Sequence, residues 1–264
     1  MKIAVIGGNR FIGKLLVKKL VESHKVVLFN RSVSGDENAE IIKFDRNINT
    51  IRCIAQNLDS FDCIVDMCLY NLKQFELIKE FIPKNIRYIF VSSAAVRYKD
   101  TFGSYAIEKE NIEKKLSDTD LNYTIVRPSY VVGYGNHIMR LEYFINKLVG
   151  GESIKIDNGD CHINLVDVKD VVNCLEHIIS STNNLKGKIY EIGSDKETTV
   201  NEVIDIIKKE LYIKEHTVEK SDESIFLNQH FEIDNNDIKM EFGIKFNDIN
   251  HIVKSFIERW KNEN

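Results

Sequence analysis

Short apolar runs alternate with amphipathic stretches through the first half of the chain. KIAVI (2–6) is β-branched and stops at two glycines, the mark of a buried strand. FIGKLLVKKLVES follows, with Ile12, Leu15, Leu16 and Leu20 at helical spacing and lysines between them. VVLFN (26–30) and EIIKF (40–44) predict the second and third strands, and IVDMC (64–68), led in by Phe61 and Asp62, the fourth. NLKQFELIKEFI has a helical pattern closed by Pro83, and RYIFVSS (87–93) reads as a fifth strand. SYAIEKENIEKKL is a helix, and YTIVRP (123–128) a sixth strand stopped by proline. Strands separated by helices predict a parallel α/β sheet, doubly wound in the Rossmann manner.

Beyond residue 130 the alternation loosens. The pattern predicts a helix over His137–Val149, ended by Gly150-Gly151, then a hairpin with Asn158-Gly159 as its turn. Asp167 is a good N-cap for VKDVVNCLEHII, with Asp170 adding charge to the first turn. KIYEI (188–192) reads as a strand, and Thr199–Leu211 and INHIVKSFIERW as helices. The expected organisation is a nucleotide-binding part over 1–130. A smaller α/β substrate lobe over 131–264 is interleaved with its sheet.

Composition narrows the function. A net charge of −4 sets up no basic field for nucleic acid or an anionic membrane. No apolar run approaches the ~20 residues that span a bilayer. Five cysteines (Cys53, Cys63, Cys68, Cys161, Cys174) are scattered without a CxxC pair, which favours reduced thiols in a cytoplasmic setting. Cys and His positions show no metal-ligand spacing. His162 reads as structural.

The chemistry concentrates in two stretches. In GGNRFIG, Gly7, Gly8 and Gly13 lie where strand meets helix, with Asn9, Arg10, Phe11 and Ile12 between them. Glycine permits the sharp turn and a close backbone approach to a pyrophosphate, and the helix N-terminus adds N–H groups and positive potential. At the end of strand two stand Asn30, Arg31 and Ser32 rather than the acid that accepts from NAD ribose hydroxyls. Arg31 attracts a 2′-phosphate, so NADP is favoured over NAD. Asp45 has two readings, a partner for the adenine amino group or the N-cap of a helix starting near Arg46-Asn47. The second stretch is Ser92-Ser93 followed by Tyr105-Ala-Ile-Glu-Lys109. The i, i+4 spacing puts Tyr105 and Lys109 on one helix face, where an ammonium lowers the phenol pKa toward acid/base use. Ser93 can bond the same substrate oxygen. YxxxK occurs twice, again at Tyr143/Lys147, and only its position after the Ser-Ser strand end favours the first pair.

In this order GGNRFIG, SSAAV, YAIEK and VRPSYVVGYG resemble the extended or atypical short-chain dehydrogenase/reductases, the NAD-dependent epimerase/dehydratase group. The resemblance covers residues 1–175 and implies a bound NAD(P) with hydride transfer at a sugar-like carbinol or carbonyl. It matches Ser93 to the substrate-orienting serine, Tyr105 to the acid/base, Lys109 to the ribose-holding lysine, and Pro128-Ser129 to the segment beside the nicotinamide. It places Asn136, His137 and Arg140 as substrate-binding candidates, and implies dimerisation through sheet-flanking helices. The chain departs at Arg10, where the family pattern carries a middle glycine. That arginine has three readings: the 2′-phosphate, the pyrophosphate or the adenine side. Ala94-Ala95 replaces the dehydratase Thr-Asp-Glu, which favours epimerase or reductase. Some members with a GGxRFIG-like turn bind RNA in plastids. The alternative is therefore a non-catalytic NAD(P)-sensing or RNA-associated protein.

Overall fold

The computed structural model describes residues 1–47 and 60–263. The chain divides into two compact units, Met1–Pro128 with Val171–Glu191, and Ser129–Asp170 with Ile192–Asn264.

The first unit is built on strands β1 (Lys2–Ile6), β2 (Lys25–Asn30), β3 (Glu40–Lys43), β4 (Cys63–Asp66), β5 (Arg87–Val91) and β6 (Asn122–Pro128), with β11 (Lys188–Ile192) at the edge. The sheet order is β11-β6-β5-β4-β1-β2-β3, parallel, as expected from the alternating pattern. The β-branched runs form strands because both sheet faces are covered: Ile3, Ala4, Val5 and Ile6 are each fully buried. Order reverses between β1 and β4, so their carboxyl ends open a crevice at the switch point. Helices α1 (Phe11–Leu20), α2 (Leu72–Ile78) and α3 (Lys99–Ser117) connect the strands. Asn71 caps α2, its side chain accepting from the Gln74 N–H. Phe29 on β2 meets Phe44 and Phe61 edge-on at 6.2 and 6.0 Å, and each such pair adds about 0.5–1.5 kcal/mol beyond burial.

α3 starts earlier than the Ser104 expected from the pattern. It begins at Lys99 and breaks at Gly103, which takes φ 55. A side chain is strained there, so glycine lets the helix restart just before Tyr105.

The second unit carries β7 (Tyr130–Val132), α4 (Arg140–Val149), β8 (Ile154–Ile156), β9 (His162–Ile163), β10 (Leu165–Asp167), β12 (Thr198–Thr199), α6 (Val200–Leu211), β13 (Val218–Lys220), α7 (Asn236–Phe242) and α8 (Ile249–Glu263). Helix α5 (Val168–Ser180) begins in it. Asp167 caps α5 by accepting from the Lys169 N–H at 2.8 Å. Thr199 and Glu202 close a capping box on α6. Two expectations fail here. α4 starts at Arg140 rather than His137, because Met139 sits in the left-handed region at φ 53. Asn158-Gly159 does turn the chain, with the Asp160 N–H bonding the Asn158 side chain. Its flanking strands do not form a hairpin, however: β8 pairs in parallel with β13, and β9 pairs antiparallel with β12.

Among the described residues no helix is long and apolar enough to cross a membrane. The four described cysteines are free, and Cys53 lies outside the described residues.

Candidate active site

The glycine turn closes against the ends of β2 and β4. The Gly7 N–H donates to Phe29 O at 3.1 Å with φ 88, and the Gly8 N–H donates to Asn30 Oδ1 at 3.1 Å. A Cβ on Gly13 would stand 2.6 Å from Gly7 O, so α1 reaches the turn only because residue 13 has no side chain. A Cβ on Gly7 would meet the Cys68 Cβ at 2.9 Å, which puts the turn at the β1/β4 switch point. Asn9 Nδ2 donates to Ser32 Oγ at 3.0 Å, tying the turn to the loop after β2. Arg10 occupies the N-cap position of α1 in extended conformation, without a capping bond, and is exposed. Phe11 opens the helix at φ 42, and Ile12 is half-buried. Arg31 is exposed.

Buried Asn30 supplies the fit test for a dinucleotide. Its Oδ1 is used by Gly8, but its Nδ2 has no partner among the described residues. An orphaned amide donor costs roughly 1–3 kcal/mol unless something accepts from it. A donor at the end of β2, beside a turn that excludes side chains, fits a bound nucleotide hydroxyl or phosphate. Asp45 Oδ1 accepts from the Asn47 N–H at 2.9 Å, the local bond that the N-cap reading requires. The helix expected beyond it lies outside the described residues.

Sequence reading missed the charge cluster under the crevice. Arg46 Nη2 reaches both oxygens of Asp66, at 2.7 and 2.9 Å. The Tyr88 hydroxyl donates to Asp66 Oδ2 at 2.9 Å, and the Cys68 N–H to Oδ1 at 3.3 Å. Burial is the largest influence and opposes the Arg46 charge, but Asp66, Cys68 and Tyr88 together outweigh it, so the guanidinium is held more firmly protonated than usual. The visible signal was an aspartate inside the apolar run IVDMC.

At the carboxyl end of β5, Val91 and Ser92 are bonded to side chains of α3. The Lys109 ammonium, 2% exposed, donates to Val91 O at 3.0 Å and to Leu69 O at 2.8 Å. It lies 4.8 Å from the Phe90 ring centre and 5.3 Å from that of Tyr70. Burial is the largest influence and pushes its pKa down to about 8; Asp66, Cys68 and Glu113 push the other way, and Arg46 adds to the burial effect. Ser92 Oγ donates to Glu113 Oε1 at 2.5 Å. Ser93, half-buried, caps a short 3-10 turn over Ala94–Arg97, its Oγ accepting from the Ala95 N–H at 3.2 Å. That leaves the Ser93 O–H to donate elsewhere. Tyr105 is 43% exposed, one helical turn before Lys109. Tyr70, 55% exposed, is a neighbour that the sequence did not single out.

Pro128 ends β6. In the second unit, Asn136 is buried and committed to backbone: Nδ2 donates to Val131 O at 2.9 Å and Oδ1 accepts from the Ile138 N–H at 3.0 Å. His137 is exposed. The Arg140 guanidinium lies 4.9 Å from the Tyr130 ring centre and 5.9 Å from that of Phe226. The second YxxxK pair is occupied locally. Tyr143 Oη accepts from the Lys155 N–H at 2.9 Å, and Lys147 bonds Glu152 at 2.6 Å. His162 Nδ1 lies 3.1 Å from Glu197, and among the described residues no group of three His, Cys, Asp or Glu could hold a metal ion.

The parallel order, the switch-point turn and the glycine cradle define a nucleotide-binding Rossmann protein. Residues 7–137 match the family model described as NAD(P)H-binding, and this part of the chain is an NAD(P)-binding domain. The chain as a whole has the fold of the extended short-chain dehydrogenase/reductase epimerases and dehydratases, the group that its motifs resemble. A UDP-glucose 4-epimerase of Thermotoga maritima, solved with UDP-glucose, is 18% identical with a TM-score of 0.81, covering 100% of this chain and 99% of that one. A UDP-glucuronic acid 4-epimerase of Bacillus cereus, solved with UDP-glucuronic acid and NAD, is 14% identical with a TM-score of 0.82, covering 100% of both chains. A dTDP-glucose 4,6-dehydratase of Bacillus anthracis, in complex with NAD, is 17% identical with a TM-score of 0.81, covering 100% and 97%. Among curated proteins, the chloroplast stem-loop binding protein of 41 kDa b of Arabidopsis thaliana is 28% identical over 75% of this chain. The chain spans 60% of that relative's length.

Proposed function

We propose that the protein is an NAD(P)-dependent oxidoreductase or epimerase that moves a hydride at a sugar-like or other small carbinol or carbonyl carbon. The observation that carries this reading is Lys109: an ammonium buried among carbonyls and rings, one helical turn from a half-exposed tyrosine and bonded to the strand end that precedes Ser93. A chain that only binds nucleotide has no need of that arrangement.

The glycine turn, Asn9, Asn30, Arg31 and Ser32 would hold the dinucleotide, which supplies the hydride acceptor or donor when bound. Tyr105 takes the proton from a substrate hydroxyl, or returns it to a carbonyl oxygen. The Lys109 charge favours the phenolate and lowers the cost of that transfer. The Ser93 O–H, free of the Ala95 bond, donates to the same oxygen. Asn136, bonded to Val131 O and the Ile138 N–H, shapes the loop that carries His137. UDP-sugars are the first probes, because two of the structural relatives are solved with one.

Arg31 favours NADP. Calorimetry should give tighter binding of NADPH than of NADH, and Arg31→Ala should narrow the gap by about tenfold, the weight of one charge-assisted phosphate contact. Arg10→Gly should weaken NADPH more than NADH if Arg10 shares the 2′-phosphate. Absence of binding by either nucleotide removes the proposal.

A second reading, an RNA-associated protein, has one support: the stem-loop binding protein among its relatives. The net charge of −4 opposes it. A stem-loop RNA shift assay titrated with salt separates the two, since loss of all binding at low salt excludes RNA.

A further inference from the structure

Glu113 is a buried carboxylate with three side-chain hydrogen bonds, and the proposed chemistry gives it no part. It is 5% exposed and sits at the third position of the helix face that carries Tyr105 and Lys109. Its carboxylate takes the Ser92 hydroxyl at 2.5 Å and the Arg127 Nε at 3.0 Å, and its second oxygen takes Arg127 Nη2. Arg127 also faces Glu191 at 3.6 Å, and Glu191 holds Arg97 at 3.0 Å. One side chain thus links three segments of the proposed site. They are the β5 end immediately before Ser93, the α3 face of Tyr105 and Lys109, and the β6 end immediately before Pro128.

A solvated surface carboxylate on this helix would have served its stability equally well. Burying the charge costs several kcal/mol unless bonds repay it, so a bare stability role gives little reason for it. Three hydrogen bonds to two other elements fix rotation of the helix about its axis and sliding along the strand. Those are the two motions that would carry Tyr105 away from Ser93.

We propose that Glu113 is a positioning residue, which with Ser92 and Arg127 clamps the ends of β5 and β6 to the Tyr105–Lys109 face of α3. The proposal rests on the assignment of Ser93, Tyr105 and Lys109 above. It has an electrostatic signature as well. The groups facing the Lys109 ammonium are Asp66, Cys68 and Arg46, the ring of Tyr70, and Glu113 from its own helix. Glu113 is one of the anions that hold the proton on Lys109.

The test is Glu113→Gln, which keeps the shape and removes the charge. The Lys109 titration is followed by NMR of protein labelled at the lysine ε-carbon, with the signal assigned from a Lys109→Met sample. In Glu113→Gln the midpoint should fall below that of the wild type, because loss of an anion disfavours the ammonium. NADPH affinity by fluorescence should stay within about twofold, and turnover of UDP-glucose should drop about tenfold in kcat with little change in KM. An unmoved Lys109 midpoint in folded Glu113→Gln overturns the proposal. If that variant does not fold, Ser92→Ala cuts one arm of the clamp alone. It should lower kcat severalfold at unchanged NADPH affinity, and an unchanged kcat overturns the proposal there too. Failure of the functional reading looks different: Tyr105→Phe would keep wild-type turnover while the Lys109 midpoint still answered to Glu113.

Discussion

The chain carries the pattern YxxxK twice, and the two copies meet opposite fates. At Tyr105/Lys109 the lysine is buried, bonded to two main-chain carbonyls, and pushed down to about 8 by loss of solvent. The tyrosine beside it stays half-exposed. At Tyr143/Lys147 the arrangement is reversed. Lys147 pairs with Glu152, and this bond raises its pKa. The Tyr143 hydroxyl is taken by the Lys155 backbone N–H. Spacing alone supplies only a shared helix face. Chemistry requires in addition a desolvated cation with a tunable proton and a phenol that solvent and ligand can reach.

The largest expected effect is on turnover. Tyr105→Phe should lower kcat by about 10²–10⁴-fold, the range of a lost general acid or base, with NADPH binding retained. Tyr143→Phe should leave kcat within about twofold. Rates for both variants with a UDP-sugar and NADP⁺ or NAD⁺ check this. Equal losses in the two variants would erase the distinction drawn between the pairs.

The next effect concerns pH. The Lys109 ammonium assists Tyr105 only while protonated. Because burial lowers its pKa from 10.5 to about 8, assistance is full below pH 8 and is lost as pH rises through that value. Activity should therefore have an alkaline limb near pH 8, falling up to about tenfold per unit beyond it. Lys147→Ala should leave that limb where it is. A limb above pH 10, or one that moves with Lys147, would break the comparison.

The sequence made some of this legible and hid the rest, for physical reasons. β1, β4 and β5 are buried on both faces, so their apolar runs stand out whatever surrounds them. The glycine turn is visible because backbone geometry forces residue type there. Position along the chain favours Tyr105 over Tyr143, and the structure shows the Tyr143 hydroxyl bonded to the Lys155 N–H. The partners of Lys109 were not readable: Leu69 and Val91 offer carbonyls, which every residue has, from 40 and 18 positions away. Glu113 blends into a run of helix-surface charges until the fold turns its side of α3 inward. The Arg46–Asp66 pair joins the segment after β3 to the end of β4, 20 residues apart, with no local pattern to announce it. In the second unit α6 was legible because it carries its own cap, Thr199 with Glu202, whereas α4, without a side-chain cap, begins later than expected and the short α7 was not read at all. The unit's strands of two or three residues were not legible, because so short a run shows no alternation.

The smallest effect is on stability, and here the two tyrosines should exchange ranks. The Tyr143 hydroxyl accepts the Lys155 N–H at 2.9 Å, at the centre of β8, and its ring meets Phe144 edge-on with centroids 5.2 Å apart. Tyr143→Phe keeps the ring and removes the acceptor, leaving the N–H to water because the site is exposed. The cost should be that of one ordinary hydrogen bond, about 0.5–1.5 kcal/mol, seen as a lower urea midpoint at unchanged slope. Tyr105→Phe should change stability by less than about 0.5 kcal/mol, the usual range for a surface position. A half-exposed helix tyrosine has little share in the fold, whereas a hydroxyl bonded to a strand N–H has its work there. A stability loss at Tyr105 larger than that at Tyr143 would mean that the first hydroxyl is structural after all, and would take the general acid/base role from it.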